Sequence, residues 1–288
     1  MILIESGIEY QRKEIPPLTR YNVCNPSVIA TENGYECTVR GLNYDLEKAN
    51  HEYIFYYGSY SVPFPDTQNY HAVLDDDLNI QHYWFLEDRH LRTNVFSLEG
   101  IEDLRLFDWK GERYAIGNAI NYPSSCASTT LMKLEGNILR LEGIFSSPTK
   151  AKTEKNWMPF VQGDTLCFLY TPNGQLLTYT NELTLSRVDS DNELPNWSGS
   201  SCVMERGGKY YAVIHKREKS RYTHKLVEYD LEGKLLWQSS EFNFEQFGVE
   251  FCAGMAFKGD DIVLSYGVSD KKAVLLKMKF DDFMKVIK

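Results

Sequence analysis

Side chains able to bind a sugar and an anion recur along this 288-residue chain, at the borders of short apolar runs. Carboxylates accept hydrogen bonds from sugar hydroxyls, aromatic rings pack on the apolar face of a pyranose, and cations bind phosphate. The carboxylates are Glu102, Asp103, Glu250 and Asp270, the cations and histidines are Arg40, Arg105, Lys155, His215 and His224, the aromatic residues are Trp157, Tyr222 and Tyr266, and the amides are Asn25 and Asn156. Brought together by a fold, they would form a carbohydrate site with an anion site beside it.

A repeated unit explains how residues so far apart in the chain can meet. Five times a polar opening leads into an apolar run, a glycine-containing turn and a second apolar run rich in aromatic or β-branched residues, and the openings lie near residues 25, 102, 155, 198 and 250. Such a recurring unit is typical of a β-propeller, in which the first strand of every blade lines the central channel. We therefore predict an all-β, five-bladed β-propeller that forms one domain over residues 1–288, with the polar openings facing the channel.

The outer parts of the predicted blades contain hairpin signals. Turn residues separate strand-like runs at 70–80, 131–139 and 226–237, and the acidic residues 75–77 are predicted to form the first of these turns rather than a metal site. Residues 1–20 are expected to be irregular because prolines occupy positions 16 and 17. The last blade is predicted to end in a strand at 273–278, followed by a fourth strand or a short helix. Pairing of the two chain ends would close the ring.

Composition argues against several classes of function. The net charge of −9 lacks the positive field that a nucleic acid requires. No apolar run approaches the ~20 residues of a membrane span, and the first residues do not resemble a signal peptide, so we expect a cytoplasmic protein. The six cysteines form no zinc-like pairs and are expected to be reduced core thiols. The common nucleotide, dinucleotide and metal motifs are missing, and we expect neither a metal nor a cofactor.

Five short segments occur in an order that is found in one group of enzymes. They are residues 100–105 (GIEDLR), 155–160 (KNWMPF), 207–215 (GGKYYAVIH), 222–230 (YTHKLVEYD) and 266–270 (YGVSD). In these segments the chain resembles glycoside hydrolase family 130, the five-bladed-propeller mannoside phosphorylases, and the related β-1,2-mannosyltransferases. Their corresponding patterns are GxEDPR, KNxxxFP, GWLxxYH, YRxGxxLLD and YYGAAD. The resemblance spans about residues 22–280, and so implies a carbohydrate-active propeller.

The resemblance also implies a role for each candidate residue. Asp103 matches the catalytic acid, which protonates the glycosidic oxygen by way of a sugar hydroxyl while phosphate attacks the anomeric carbon from the opposite face. Asp270 matches a sugar-binding aspartate, Arg40 an arginine that ends the second strand of the first blade, and His215 and Tyr222 residues of the phosphate site. We further assign Asn25, Arg40, Glu102, Asn156, Trp157, Glu250 and Tyr266 to substrate binding, and Arg105, Lys155 and His224 to phosphate binding.

Departures from the family pattern leave the reaction open. Leu104 replaces the proline after the acid, and residues 196–199 lack the basic residue that phosphorylases tend to carry before blade four. The leading hypothesis is an inverting glycosyl transfer on β-mannosides or similar sugars, either phosphorolysis or transfer from a sugar nucleotide. The alternatives are hydrolysis, with water activated by Glu250 or Glu102, and a non-catalytic sugar-binding propeller. The expected partners are a mono- or oligosaccharide and phosphate or a sugar nucleotide, and homo-oligomers are common among the enzymes that the chain resembles.

Overall fold

The computed structural model describes residues 1–19, 21–47, 52–55, 66–92, 100–121, 126–180, 182–187 and 194–288. Within these ranges the strands form five antiparallel sheets of four or five strands each, together with one two-stranded hairpin. The five sheets are the blades of a five-bladed β-propeller, which confirms the predicted fold class.

The strands follow one another in the order that a propeller requires. In chain order they are β1 (Tyr10–Ile15), β2 (Asn22–Thr31), β3 (Gly34–Leu42), β4 (Tyr44–Glu47), β5 (Glu52–Phe55), β6 (Thr67–Leu74), β7 (Ile80–Leu86), β8 (Glu102–Trp109), β9 (Glu112–Asn121), β10 (Cys126–Glu135), β11 (Ile138–Ile144), β12 (Met158–Gln162), β13 (Thr165–Thr171), β14 (Gln175–Tyr179), β15 (Leu183–Arg187), β16 (Ser198–Gly199), β17 (Met204–Arg206), β18 (Lys209–Glu218), β19 (Arg221–Tyr229), β20 (Leu235–Gln238), β21 (Glu250–Lys258), β22 (Asp261–Val268) and β23 (Lys272–Lys279). A helix, α1 (Phe280–Ile287), follows the last strand, and short 3-10 turns lie at Leu3–Glu5 and Arg89–Leu91.

Each blade runs outward from an inner strand. Blade one is β2-β3-β6-β7, blade two is β8-β9-β10-β11, and blade three is β12-β13-β14-β15. Blade four has β16 and β17 inside, followed by β18, β19 and β20, and blade five is β21-β22-β23-β1. The hairpin β4-β5 is inserted between the second and third strands of blade one. The three predicted outer hairpins are present as β6-β7, β10-β11 and β19-β20.

The apolar core is divided among the interfaces between neighbouring blades. Successive residues of an inner strand point to opposite faces, so Leu106 belongs to the cluster between blades one and two, whereas Phe107 belongs to the cluster between blades two and three. A third cluster joins blades three and four, where the rings of Phe160 and Tyr210 are 4.9 Å apart. A fourth cluster joins blades four and five, and a fifth joins blade five to blade one. Since blade five packs on blade one, the ring is closed.

The N-terminal segment contributes to this closure. β1 pairs antiparallel with β23, from Tyr10 opposite Met278 to Ile15 opposite Ala273. The prediction of an irregular lead-in over residues 1–20 is therefore wrong for β1, because edge pairing with the last blade overrides its weak strand pattern. Of the two structures predicted after residue 278, the helix is present, and the fourth strand of the blade comes from the N-terminus instead.

Two smaller predictions are also confirmed. Asp75 lies in the β6-β7 turn, where its Oδ1 accepts hydrogen bonds from the backbone N–H groups of Asp77 (3.0 Å) and Asn79 (2.8 Å). Five of the cysteines, Cys24, Cys37, Cys167, Cys202 and Cys252, are buried free thiols. No helix in the described ranges is long and apolar enough to cross a membrane.

Candidate active site

Polar residues at the start of the inner strands adopt an unusual backbone conformation. Asn25, Asp103 and Asn156 all have left-handed φ values of 45°, 52° and 66°. Asn and Asp tolerate this region better than other non-glycine residues, because their short polar side chains can bond locally. In blades one and two the residue lies at a shift of the strand register, between Cys24 and Ser27 and between Glu102 and Arg105. Such a bulge turns a side chain out of the pleat, which aims these residues at the channel.

The carboxylate of Asp103 is held by two residues of blade one. Its Oδ1 accepts hydrogen bonds from Asn25 Nδ2 at 2.8 Å and from Arg40 Nη1 at 3.0 Å. Arg40 Nη2 also donates to Glu102 Oε1 at 2.5 Å, so one guanidinium bridges both carboxylates. Among the described residues no donor meets Oδ2 of Asp103. That oxygen is left for a ligand.

The charges around Asp103 keep it ionised. Burial alone would raise the pKa of its carboxyl group, but the positive charge of Arg40 and the hydrogen bond from Asn25 outweigh burial, and the pKa lies below its ordinary value. The nearby charge of Arg105 acts in the same direction. The free protein therefore holds Asp103 as a carboxylate.

Arg105 is almost fully buried in the centre of the ring. Its Nε donates to the backbone oxygen of Ser200 at 2.5 Å, and its Nη2 donates to Asn156 Oδ1 at 3.1 Å. The guanidinium carbon lies 5.6 Å from the ring centroid of Phe251. Burial lowers the pKa of Arg105, although an arginine stays charged at neutral pH. Blades two, three and four thus meet at one cation.

A neutral histidine completes this half of the site. The ring of His215 stacks on Tyr222, with centroids 5.4 Å apart and planes 26° apart, and meets Phe251 edge to face at 5.1 Å. Burial, followed by the charges of Arg105 and Lys155, lowers the pKa of His215 to about 3. Lys155 is exposed and makes no ion pair within the described ranges. The positive charges near His215 are therefore those of Arg105 and Lys155, and the neutral ring of His215 adds none.

The remaining predicted residue on this face is Asp270. It lies two residues after the end of β22, and its backbone φ is 55°. Burial raises the pKa of Tyr222; the charge of Arg217 opposes this rise, and the charges of Asp270 and Asp103 add to it. Direct contacts thus join the predicted residues in two groups, Asn25, Arg40, Glu102 and Asp103 in one, and Arg105, Asn156, His215 and Tyr222, by way of Phe251, in the other. The charges of Lys155 and Asp270 act on the second group.

Two predicted aromatic contacts with substrate are wrong. Trp157 has no exposed surface, because it is stacked on Phe145 with centroids 5.7 Å apart, in the cluster between blades two and three. Tyr266 is equally buried, stacks on Phe244 at 4.1 Å, and donates its hydroxyl hydrogen to Glu245 Oε1 at 2.7 Å. Both rings serve the packing between blades and offer no face to a sugar.

Two predicted polar residues are also removed from the channel. Glu250 is fully buried and accepts hydrogen bonds from the backbone N–H groups of residues 244–246 at 2.7–3.0 Å. Its carboxylate anchors that loop and does not activate a water molecule. His224 is fully buried between Phe242 and Phe244, so its ring does not reach a phosphate.

Sequence reasoning missed two side chains at the site and one glycine. Phe251 contacts both Arg105 and His215, and no sequence signal separates it from the aromatic residues that pack between blades. Tyr44, on the inserted hairpin, has a pKa raised chiefly by burial; the charge of Arg40 opposes this rise, and the charges of Glu102 and Asp270 add to it. A Cβ atom on Gly267 would lie 2.0 Å from Asn25 Oδ1, so this position needs glycine.

No protein-family model and no curated protein matches this sequence. Solved structures do match. The chain is similar to the β-1,2-mannobiose phosphorylase of Listeria innocua, solved with β-1,2-mannobiose, at 12% identity and a TM-score of 0.64, with 97% of this chain and 99% of that chain covered. A structure from a study of glycoside hydrolases of family 130 that target β-1,2-mannosidic linkages in Candida mannan matches at 10% identity and a TM-score of 0.63, with 91% and 85% covered. A family 43 glycoside hydrolase of Xanthomonas citri matches at 8% identity and a TM-score of 0.56, with 92% and 90% covered. At these identities the likeness establishes the shared propeller fold.

Proposed function

We propose that this protein is a carbohydrate-active enzyme that transfers a glycosyl group with inversion, with β-mannosides or similar sugars as substrates. The observation that carries the proposal is the hydrogen bonding of the Asp103 carboxylate. Its Oδ1 accepts from Asn25 and Arg40, while its Oδ2 has no donor among the described residues. A fixed carboxylate with one free oxygen is a suitable proton donor or acceptor for a glycosidic oxygen. The structural similarity to a mannobiose phosphorylase supports the choice of sugar.

The cations beside Asp103 favour an anionic reactant. In this proposal Arg105 and Lys155 hold a phosphate, and His215 and Tyr222, whose rings stack, hydrogen-bond it. In phosphorolysis a phosphate oxygen forms the new bond to the anomeric carbon while the glycosidic C–O bond breaks. The proton of Asp103 passes to the leaving oxygen, directly or through a sugar hydroxyl. Only one protein carboxylate is needed, since phosphate itself is the nucleophile, whereas an inverting hydrolase needs a second carboxylate as base.

The lowered pKa of Asp103 is compatible with this chemistry when an anion is present. As a carboxylate, Asp103 is ready to act as the base in the direction of bond synthesis. For bond cleavage it must carry a proton. An anion bound between Arg105 and Lys155 offsets their charge and raises the pKa of Asp103, because a like charge disfavours the ionised form. Transfer from a sugar nucleotide uses the same cations for the leaving phosphate, and it remains the alternative within this proposal.

Product analysis with the Asp103→Asn variant tests the proposal. The purified protein is incubated with manno-oligosaccharides and inorganic phosphate, with mannose 1-phosphate and acceptor sugars, and with GDP-mannose and acceptor sugars. We expect turnover in one of these mixtures, and a ~10²–10⁴-fold loss in Asp103→Asn, the usual share of general acid–base catalysis. Asp164→Asn, an exposed position at the far end of blade three, is the matched control. Equal turnover in wild type and Asp103→Asn would refute the catalytic role. Glycan binding without turnover, unaffected by Asp103→Asn, would identify a sugar-binding propeller instead.

A further inference from the structure

A buried carboxylate, that of Glu154, directly precedes the proposed phosphate-binding residue Lys155 in the chain. Glu154 is only 5% exposed. Its Oε2 accepts a hydrogen bond from Trp157 Nε1 at 3.0 Å, and its Oε1 accepts one from the hydroxyl of Tyr170, also at 3.0 Å. Its backbone N–H donates to the oxygen of Ala127 in blade two at 2.9 Å. Both oxygens therefore accept from neutral donors, which is uncommon for a buried carboxylate, because ion pairing usually offsets the cost of burial.

Packing fixes the position of the Trp157 indole, which donates to Glu154. Trp157 has no exposed surface and stacks on Phe145 with planes 11° apart. The rings of Phe168 and Tyr170 meet it edge to face at 5.6 Å each. Interiors are packed at crystal density, so such a ring keeps a single position. The hydrogen bond from Trp157 to Glu154 consequently ties together the two ends of the segment 154–157.

The two residues between these ends are those that face the site. With Glu154 and Trp157 both buried, Lys155 and Asn156 must project outward. Asn156 has the left-handed φ of 66°, and its Oδ1 receives the hydrogen bond from Arg105 Nη2 at 3.1 Å. The backbone oxygen of Asn156 also leaves no room for a side chain at Gly199, where a Cβ atom would lie 2.2 Å away. The close approach to Gly199 restricts the backbone of Asn156, and asparagine tolerates the left-handed conformation that it adopts there.

We propose that Glu154 is a positioning residue for anion binding. Its hydrogen bond with Trp157 holds Lys155 and Asn156 in place, and Asn156 in turn holds the guanidinium of Arg105. In this arrangement the two cations can receive a phosphate group. The identity of the anion rests on the proposed function, whereas the positioning does not. A glutamine at 154 can keep both contacts, because its oxygen can accept from Trp157 Nε1 while its NH₂ group donates to the hydroxyl oxygen of Tyr170, which is both a donor and an acceptor. The hydrogen bond from Trp157 therefore requires an oxygen acceptor at position 154, and a leucine of similar size removes it.

The test compares Glu154→Leu, which removes both acceptor oxygens, and the milder Trp157→Phe with two matched controls. Trp109→Phe removes an indole donor of the same kind, since Trp109 Nε1 donates to the backbone oxygen of Asp164 at 2.9 Å at a site away from the channel. Glu228→Leu alters a second buried carboxylate, which accepts from the hydroxyl of Tyr211 at 2.7 Å and from Lys209 Nζ at 2.5 Å. Affinity is measured by calorimetry for inorganic phosphate and, separately, for neutral manno-oligosaccharide, and crystal structures of the Glu154 and Trp157 variants record the conformation of Asn156.

We expect the Glu154 and Trp157 variants to bind phosphate about tenfold more weakly, the effect of losing one hydrogen bond to a charged group. Affinity for the neutral sugar should be unchanged, and both control variants should bind phosphate as wild type does. A general loss of stability would weaken both ligands alike, so an equal loss for phosphate and sugar overturns the proposal. So does an Asn156 that keeps its left-handed conformation and its bond to Arg105 in Glu154→Leu. Wild-type protein that binds no phosphate refutes the proposed anion site, and the conformation of Asn156 in the variants then decides the positioning role by itself.

Discussion

Substitution of Gly267 by alanine tests whether the backbone of blade five sets the geometry of Asp103. Gly267 lies in β22, directly behind Asn25 of blade one. An added Cβ atom would lie 2.0 Å from Asn25 Oδ1 and 2.7 Å from the backbone nitrogen of Asn25. Distances this short force Asn25 to move, and its side chain is buried, so it has little free space to move into. The hydrogen bond from Asn25 to Asp103 should break as a result.

The expected effect is the sum of two terms. Overfilling a packed site costs about 1–3 kcal/mol of unfolding free energy. Loss of a hydrogen bond to a carboxylate costs about 1.5–3 kcal/mol. We therefore expect Gly267→Ala to lower the unfolding free energy by about 2.5–6 kcal/mol, with a fall in Tm of about 2–4 °C for each kcal/mol. If Asp103 is also displaced by ~1 Å, turnover should fall on the order of 10²-fold.

Urea unfolding and turnover of the same preparation measure both effects. Gly143→Ala is the matched control, because a Cβ atom there meets a single atom, Cε1 of Phe145, at 3.9 Å. A double-mutant cycle with Asn25→Ala should show coupling of about 0.5–3 kcal/mol between the two positions, as expected for residues in contact. Unfolding free energies of Gly267→Ala and Gly143→Ala that agree within ~0.5 kcal/mol, together with wild-type turnover, would refute this account of the site.

Three further predictions concern titration and loop anchoring. Burial lowers the pKa of His224 well below its ordinary 6.5, so the folded protein keeps this ring neutral while the unfolded chain takes up a proton. The unfolding free energy therefore falls as pH drops below ~6.5. In His224→Phe the unfolding free energy measured in urea should depend less on pH between 7 and 5, and a dependence as steep as that of wild type would contradict this. Arg40→Met removes the charge that most strongly lowers the pKa of Asp103, so the limb of the pH–rate profile due to Asp103 should move to higher pH, and an unmoved limb would assign it to another group. Glu250→Gln leaves at least one loop N–H without its carboxylate acceptor at a cost of about 1–3 kcal/mol, which should accelerate hydrogen exchange of the amides of residues 244–246 and leave that of β10 unchanged.

The convergence of the polar openings could be predicted because it follows from the repeat. A propeller places the first strand of each blade at the channel, so Asn25, Asp103 and Asn156 meet wherever their own blades stand in the chain. The residue types also carried a signal, since Asn and Asp at a strand entry suit the left-handed bulges found there. Arg40 and His215 followed from the same logic, applied to the ends of the second strands.

The aromatic residues could not be assigned in the same way. Both faces of every blade are buried in this fold, so an aromatic ring next to a polar opening faces either the channel or the neighbouring blade, according to packing between distant segments. Trp157 and Tyr266 face the neighbouring blade and Phe251 faces the channel, although all three stand beside polar residues in the sequence. Glu250 was misassigned for a related reason. The loop that it anchors has no strand or helix pattern, so the sequence does not show that this loop packs against Glu250.

The pairing of β1 with β23 has a consequence for how the chain folds during synthesis. Residues 10–15 leave the ribosome long before their partners at 273–278. At ~5–20 residues per second, β1 waits tens of seconds for its partner strand. Its sequence, YQRKEI, carries Arg12, Lys13 and Glu14, and such charges protect an unpaired strand from joining other chains. Once β1 docks, Arg12 reaches Glu245 at 2.5 Å in the loop held by Glu250, so a strand that is made before the other three strands of blade five completes that blade.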